Sequence, residues 1–491
     1  MSQSQKTNWG QFIPLVTVFF FWGFVASSNE ILIPVFKEAF HLTQGQSQFV
    51  SLAFYIAYTV GSIIYMIISA IIGKDLINKI GYKNSLSLGL TISALGTLLF
   101  IPAANLQSYP LMLSGLFTVA LGFSLQQTVA NPLAIALGDP SNGSQRLTLA
   151  GGINNLGTTI GPLIVAYAIF GSSANGHTTL SIESVKIPYL CLGVAFLAVA
   201  IFLKFSSLPS HPKVEVEEEE TYFGLENEKK PETIKKADRS SALKYPQLIL
   251  GMLAIFLYVG VEVSTVSNFP AYMEKELGFK IHEITPYVSL YWASMMIGRW
   301  GGAAEAFGLD KSKTLMLKFV APYLAFGIFL LVNYIAGHDL KPFYYYAGII
   351  LILILADIST KGNPARMILT FSTIGIISLL IGMNTTGIVS VYAITSVGLF
   401  CSTLWPCIFA LATKGLGKNT SQGSSFLIMM IMGGGIVSYL QGVLADATSI
   451  HFSYVACILC FAYLVFYAVA TPSILKKQGI NLADVKSEGG H

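Results

Sequence analysis

The chain of 491 residues is 53% hydrophobic and only 11% charged, against about 25% charged in an ordinary soluble domain. With a net charge of +4 and a mean hydropathy of +0.64, it has too few charges to coat a water-facing globule. Soluble, collagen-like, disordered and disulfide-stapled classes are excluded, which leaves an all-α polytopic membrane protein.

A helix crosses a bilayer with about 20 apolar residues. Runs of that kind lie near 11–37, 49–72, 84–103, 108–136, 148–170 and 187–206, and again near 247–272, 284–306, 315–336, 342–358, 366–383, 387–412, 424–446 and 452–472. The reading is a six-helix bundle over 1–206, a polar linker over 207–246, a second bundle over 247–472 and a tail over 473–491. Within the second bundle, 315–358 forms an additional, peripheral hairpin, which brings the predicted spans to about 14. The first run has only Lys6 ahead of it, no small-residue cleavage site, and Asn29-Glu30 inside it, so it reads as a retained helix.

Basic residues orient the chain. With a cytoplasmic N-terminus, all of the 29 Lys and Arg except Lys37, Lys186, Lys275, Lys280, Lys341 and the intrahelical Arg299 fall on the inner side, which predicts that both termini are cytoplasmic. The linker joins Glu215 and Glu217 to Glu220 with a Lys-rich stretch and reads as a solvated connection. The five cysteines all lie in apolar runs and read as small core residues. Leu137-Gly138-Asp139-Pro140 and Leu416-Gly417-Lys418-Asn419 close spans four and twelve, each followed by a Gly-rich helix. That layout fits two parallel repeats.

Intramembrane ionisable residues are costly, and they are functional candidates for that reason. Glu30 falls in span one, Glu262 in span seven and Arg299 in span eight. Spans one and seven are equivalent in the two repeats, so Glu30 and Glu262 are expected to face one another across a central cavity, with a packing role for each as the alternative. A carboxylate withdrawn from water can exchange a proton near neutral pH. Pro34 frees a backbone carbonyl near Glu30. The amides Asn29, Gln126, Gln127, Asn131, Asn154 and Asn155 offer donors and acceptors together, which suits sugar hydroxyls; interhelical bonding is the alternative. Trp22, Tyr291, Trp292 and Trp405 sit within spans rather than at the interfacial belts, suited to the C–H face of a pyranose or to packing. Arg146 and Arg299 are candidate gating residues, with a plain snorkelling side chain as the alternative for Arg299. Gly151-Gly152 and Gly433-Gly434-Gly435 read as close-packing surfaces. No Walker A sequence, Gly-x-Ser-x-Gly elbow or metal-ligand spacing occurs, so no enzyme, metal or cofactor is expected. Nor is a nucleic-acid partner.

Phe20-Phe21-Trp22-Gly23 with Asn29-Glu30-Ile31-Leu32-Ile33-Pro34 resembles the first-helix signature of the fucose–galactose–glucose:H+ symporters, a branch of the major facilitator superfamily. Ala130-Asn131-Pro132, Arg146-Leu147, Asn154-Asn155-Leu156-Gly157, Gly298-Arg299 and Gly433-Gly434-Gly435-Ile436-Val437 are similar to the same family in order and spacing. The resemblance implies twelve core helices, alternating access and a monosaccharide carried with a cation by a monomer in the bacterial inner membrane. The chain departs from the family's fucose carrier where Glu30 stands for an Asp, Gln127 for a helix-four Glu and Glu262 for a Gln; the resemblance, with the carboxylate count kept, implies Glu30 and Glu262 as the candidate coupling pair. The expectation is proton-driven monosaccharide import. Sodium coupling through Asn29, Glu30 or Glu262, a membrane sugar sensor, an uncoupled facilitator and a drug–proton antiporter stand as alternatives.

Overall fold

A computed structural model describes residues 8–72, 76–137, 143–170, 182–210, 241–304, 310–416 and 420–480. The side chains of Asn29, Glu30 and Arg146 lie outside the described ones, as do residues 211–240 of the expected linker.

The described residues form helices and turns with no strand. The first half comprises α1 (Trp9–Ala39), α2 (Gln44–Ser47), α3 (Phe49–Ile72), α4 (Leu76–Ile80), α5 (Tyr82–Leu98), α6 (Phe100–Asn105), α7 (Tyr109–Ala136), α8 (Gly143–Phe170) and α9 (Lys186–Phe205). The second half opens with α10 (Pro246–Ser267), α11 (Phe269–Leu277), α12 (Ile281–Gly302), α13 (Lys311–Ile335), α14 (Tyr346–Thr360) and α15 (Pro364–Asn384). It closes with α16 (Gly387–Thr395), α17 (Val397–Cys401), α18 (Leu404–Thr413), α19 (Thr420–Met429), α20 (Gly433–Ala447), α21 (Ile450–Ser453) and α22 (Val455–Lys477).

Among the described residues, 11 helical segments are long and apolar enough to cross a membrane. Helix α3 stands where span two is expected and is apolar over the shorter stretch Phe49–Tyr65, while α8 and α12 stand where spans five and eight are expected and are less apolar, with Asn154 and Asn155 in α8 and Arg299 in α12. Local signals fix many ends. Asn8, Ser108, Asp310 and Asn363 each accept a backbone N–H at the start of α1, α7, α13 and α15, which satisfies orphan donors there. Lys361 and Gly362 take left-handed backbone, turning the chain sharply from α14 into α15.

The halves are built alike. In the first, α5 packs on α7 and α9; in the second, α15 packs on α16 to α18 and on α22. The closest helix pairs also correspond. A Cβ on Gly157 of α8 would fall 2.2 Å from the Phe20 carbonyl oxygen of α1, and one on Gly433 of α20 would fall 2.0 Å from the Phe256 carbonyl oxygen of α10. Only glycine permits such contact between backbones. Helices α13 and α14 are inserted between α12 and α15, with α13 lying against α12.

Three details differ from expectation. Cys191 is exposed on α9 rather than a core residue, because it falls on the helix's outward side. Lys318, expected in an inner loop, is buried within α13 and donates to Asp357 Oδ2 of α14 at 2.8 Å. The span expected at 387–412 is broken into α16, α17 and α18.

Candidate site between the two halves

The neighbouring amides of α7 part company in the fold. Gln126 is fully buried: its Oε1 accepts the Trp22 indole N–H at 2.9 Å, and its Nε2 donates to Ser93 Oγ at 3.1 Å. Its amide, and Trp22 with it, ties α7 to α1 and α5. Gln127, about 100° further round the helix, is half-buried and donates to the Tyr58 hydroxyl of α3 at 3.3 Å. Asn131, one turn on and on the same face, is also half-buried.

On α8, Asn154 donates from Nδ2 to the Phe19 carbonyl of α1 at 2.9 Å. Asn155 turns to the other half: its Oδ1 accepts from Arg299 Nη1 at 3.3 Å. Asn155 is 2% exposed, and its Nδ2 has no partner. The Arg299 Nε donates to the Ser402 carbonyl at 3.2 Å. That carbonyl lies just past the end of α17 at Cys401, where no continuing helix claims it.

Glu262 lies on α10 in the membrane interior. The Arg299 guanidinium attracts its carboxylate, and the Tyr258 hydroxyl, one turn earlier on α10, lies beside it. Tyr258 is 1% exposed and makes no hydrogen bond of regular geometry. The Tyr291 hydroxyl of α12 donates to the Glu262 main-chain carbonyl at 2.7 Å. Trp292 meets Tyr291 edge-on at 5.6 Å, and its buried indole N–H has no partner. Trp405 is half-buried, stacks on Phe409 at 6.5 Å and tilts against Tyr258 at 6.2 Å.

The fold thus brings Asn155, Arg299, Glu262, Tyr258, Tyr291 and Trp405 into one chain of contacts spanning both halves. Gln126 is outside it, held within the first half. Two polar atoms here, Asn155 Nδ2 and Trp292 Nε1, are buried without partners, each at a cost of about 1–3 kcal/mol until something bonds it, and the Tyr258 hydroxyl has only the Glu262 carboxylate beside it. Sequence reasoning missed Tyr258 and Tyr58. The available signal for Tyr258 was its spacing of one turn from Glu262. A separate recess at the C-terminal end of α12, lined by Gly302, Lys318, Asp357 and Thr403 among others, belongs to the inserted hairpin.

Two helical halves with a polar cluster at their junction define a membrane carrier. The profile of the Major Facilitator Superfamily matches residues 15–350, and the chain belongs to that superfamily. It is 33% identical to the glucose/galactose transporter of Brucella abortus (strain 2308), over 95% of this chain and 95% of that one. It is 27% identical to the L-fucose-proton symporter of Escherichia coli (strain K12), over 93% of this chain and 92% of that one. The solved structure of FucP, a Major Facilitator Superfamily transporter in the outward conformation, superposes with a TM-score of 0.59 at 26% identity, covering 94% of this chain and 98% of that one. The family resemblance carried by the span-one and span-four motifs holds.

Proposed function

We propose that the protein is a secondary active transporter that imports a monosaccharide together with protons, by alternating access of the central site. The observation that carries this reading is the polar cluster that both halves contribute around Arg299 and Glu262, with the buried donors Asn155 Nδ2 and Trp292 Nε1 left without partners. A polyhydroxylated ligand at the junction satisfies them and is released as the halves part. Gln127 and Asn131 extend the amide face from the first half, and Trp405 supplies an aromatic one. The names of the relatives, a glucose/galactose transporter and an L-fucose-proton symporter, support a hexose and a proton. The protein then sits in the bacterial inner membrane, with its linker and both termini in the cytoplasm.

Coupling requires that the site reorient only when sugar and proton are both bound or both absent. Glu262 and Glu30 are the residues proposed to carry the proton. A proton moved through 100 mV supplies about 2.3 kcal/mol, enough for roughly fiftyfold accumulation of sugar. Glu262→Gln fixes a neutral side chain. In proteoliposomes it retains counterflow exchange of labelled glucose or galactose and loses accumulation against a gradient, and Glu30→Gln shows the same split. Full accumulation in both variants removes these acids from coupling. Uptake driven by an imposed sodium gradient at constant pH, with no proton movement, replaces the proton by sodium. No counterflow with any hexose rejects the sugar reading.

A further inference from the structure

The two halves are fastened on the membrane face opposite the linker. There α2 sits at the end of α1 and is made rigid by a reciprocal pair: Gln46 N–H donates to Thr43 Oγ1, and Thr43 N–H donates to Gln46 Oε1. Its first two backbone N–H groups converge on one carboxylate of the other half. Gln44 N–H donates to Asp446 Oδ1 at 2.8 Å, and Gly45 N–H donates to Asp446 Oδ2 at 2.7 Å. Glycine at 45 and 442 allows the approach, since a Cβ on Gly442 would lie 3.0 Å from Gly45 Cα.

Beneath this clasp the seal continues inward. Gln44 Nε2 donates to Asn268 Oδ1 at 2.9 Å, Gln48 Nε2 donates to the Ser267 carbonyl at 3.3 Å, and the Ser51 and Ser267 hydroxyls pair at 3.1 Å. Lys37 Nζ donates to Gln44 Oε1. Phe49 of α3 stacks on Tyr439 of α20 at 5.3 Å. On the opposite interface, Ser289 Oγ of α12 donates to the Thr159 carbonyl of α8 at 2.7 Å. Among the described residues, the hydrogen bonds between halves that lie closest to the linker face are Thr59 with Met429 and Arg299 with Asn155. Fastening among the described residues is therefore concentrated on the far face.

We propose that Asp446 is the latch of that face: its carboxylate holds α2 against α20, and its release lets the whole face open to the periplasmic side. Within the seal Asp446 is the one charged acceptor and the outermost group, exposed at the rim, so water can replace its bonds as the halves begin to part. The deeper pairs are neutral and follow. This rests on the proposed function only in placing the far face outside and in calling its opening a transport step.

Two independent arms test it. In a chain with Cys191→Ser, a reporter Ser289→Cys is placed on the interface that α2 does not touch, so labelling reads opening of the face rather than fraying of α2. A membrane-impermeant maleimide applied to intact cells labels it about tenfold faster when Asp446→Ala is added, the scale of losing charge-assisted hydrogen bonds, and Asp446→Glu restores slow labelling. Unchanged labelling in a folded Asp446→Ala chain overturns the latch. The second arm leaves Asp446 intact: Phe49→Cys with Tyr439→Cys, bridged by a short cleavable bismaleimide, loses sugar exchange and regains it on cleavage. Full exchange in completely bridged protein overturns the proposal as well. If no sugar is carried at all, the proposed function fails while the labelling arm still judges the latch.

Discussion

At the scale of single residues, Gln126 and Gln127 are one position apart on a helix, one tied into the fold and the other proposed for ligand binding. Gln126 is spent between Trp22 and Ser93, so Gln126→Leu strands a buried indole N–H, lowering stability by about 1–3 kcal/mol with sugar affinity unchanged. Gln127→Ala removes only the long bond to the Tyr58 hydroxyl, so its stability cost is the smaller of the two, and sugar affinity falls roughly ten- to hundredfold. Thermal unfolding and titration calorimetry on both variants separate the two; equal affinity loss in both would put Gln126 in the site. Composition marked both amides as polar groups in a span, but their different roles depend on a rotation that a residue list does not contain. Tyr258 was illegible for another reason: a tyrosine in an apolar helix reads as core until the carboxylate one turn later is seen to share its face.

Among the elements, the inserted hairpin is held by an ion pair taken out of water. Lys318 and Asp357 are both buried, 2.8 Å apart, against the glycine-thinned end of α12, where a Cβ on Gly301 would lie 3.0 Å from Pro322 Cγ. Removing one partner leaves an uncompensated charge, which costs about 3–5 kcal/mol, whereas replacing both by apolar residues is often neutral. Lys318→Met therefore lowers the unfolding temperature, and Lys318→Met with Asp357→Leu restores it. A double variant no more stable than the single one would show that the pair is not what holds α13 to α14. The order of the elements was legible because apolar runs recur so regularly along the chain. The buried Lys318 was not, since Lys311, Lys313 and Lys318 read together as one loop cluster. The breaks between α16, α17 and α18 were only partly legible: Pro406 has no N–H for the Ser402 carbonyl four residues back, which accepts from Arg299 instead, whereas no proline stands four residues after Ser396.

Over the whole molecule, each half is drawn together by a glycine contact, and a side chain there wedges helices apart. Gly433→Ala places a methyl group 2.0 Å from the Phe256 carbonyl oxygen, a distance only backbone movement can relieve, and it costs stability by about 1–3 kcal/mol. Gly348→Ala meets nothing within 4 Å and is neutral in the same unfolding assay; equal effects at both positions would mean the seam tolerates repacking. The far-face clasp has a further consequence, for measured affinity rather than for stability. A sugar arriving from outside meets only the fraction of molecules whose far face is open, and its apparent dissociation constant is the intrinsic one divided by that fraction. A carrier resting closed in a ratio of roughly 99 to 1 presents a site about a hundredfold weaker from that side than the contacts themselves dictate. Loosening the clasp thus makes the protein look like a better binder from outside without changing an atom that touches the sugar.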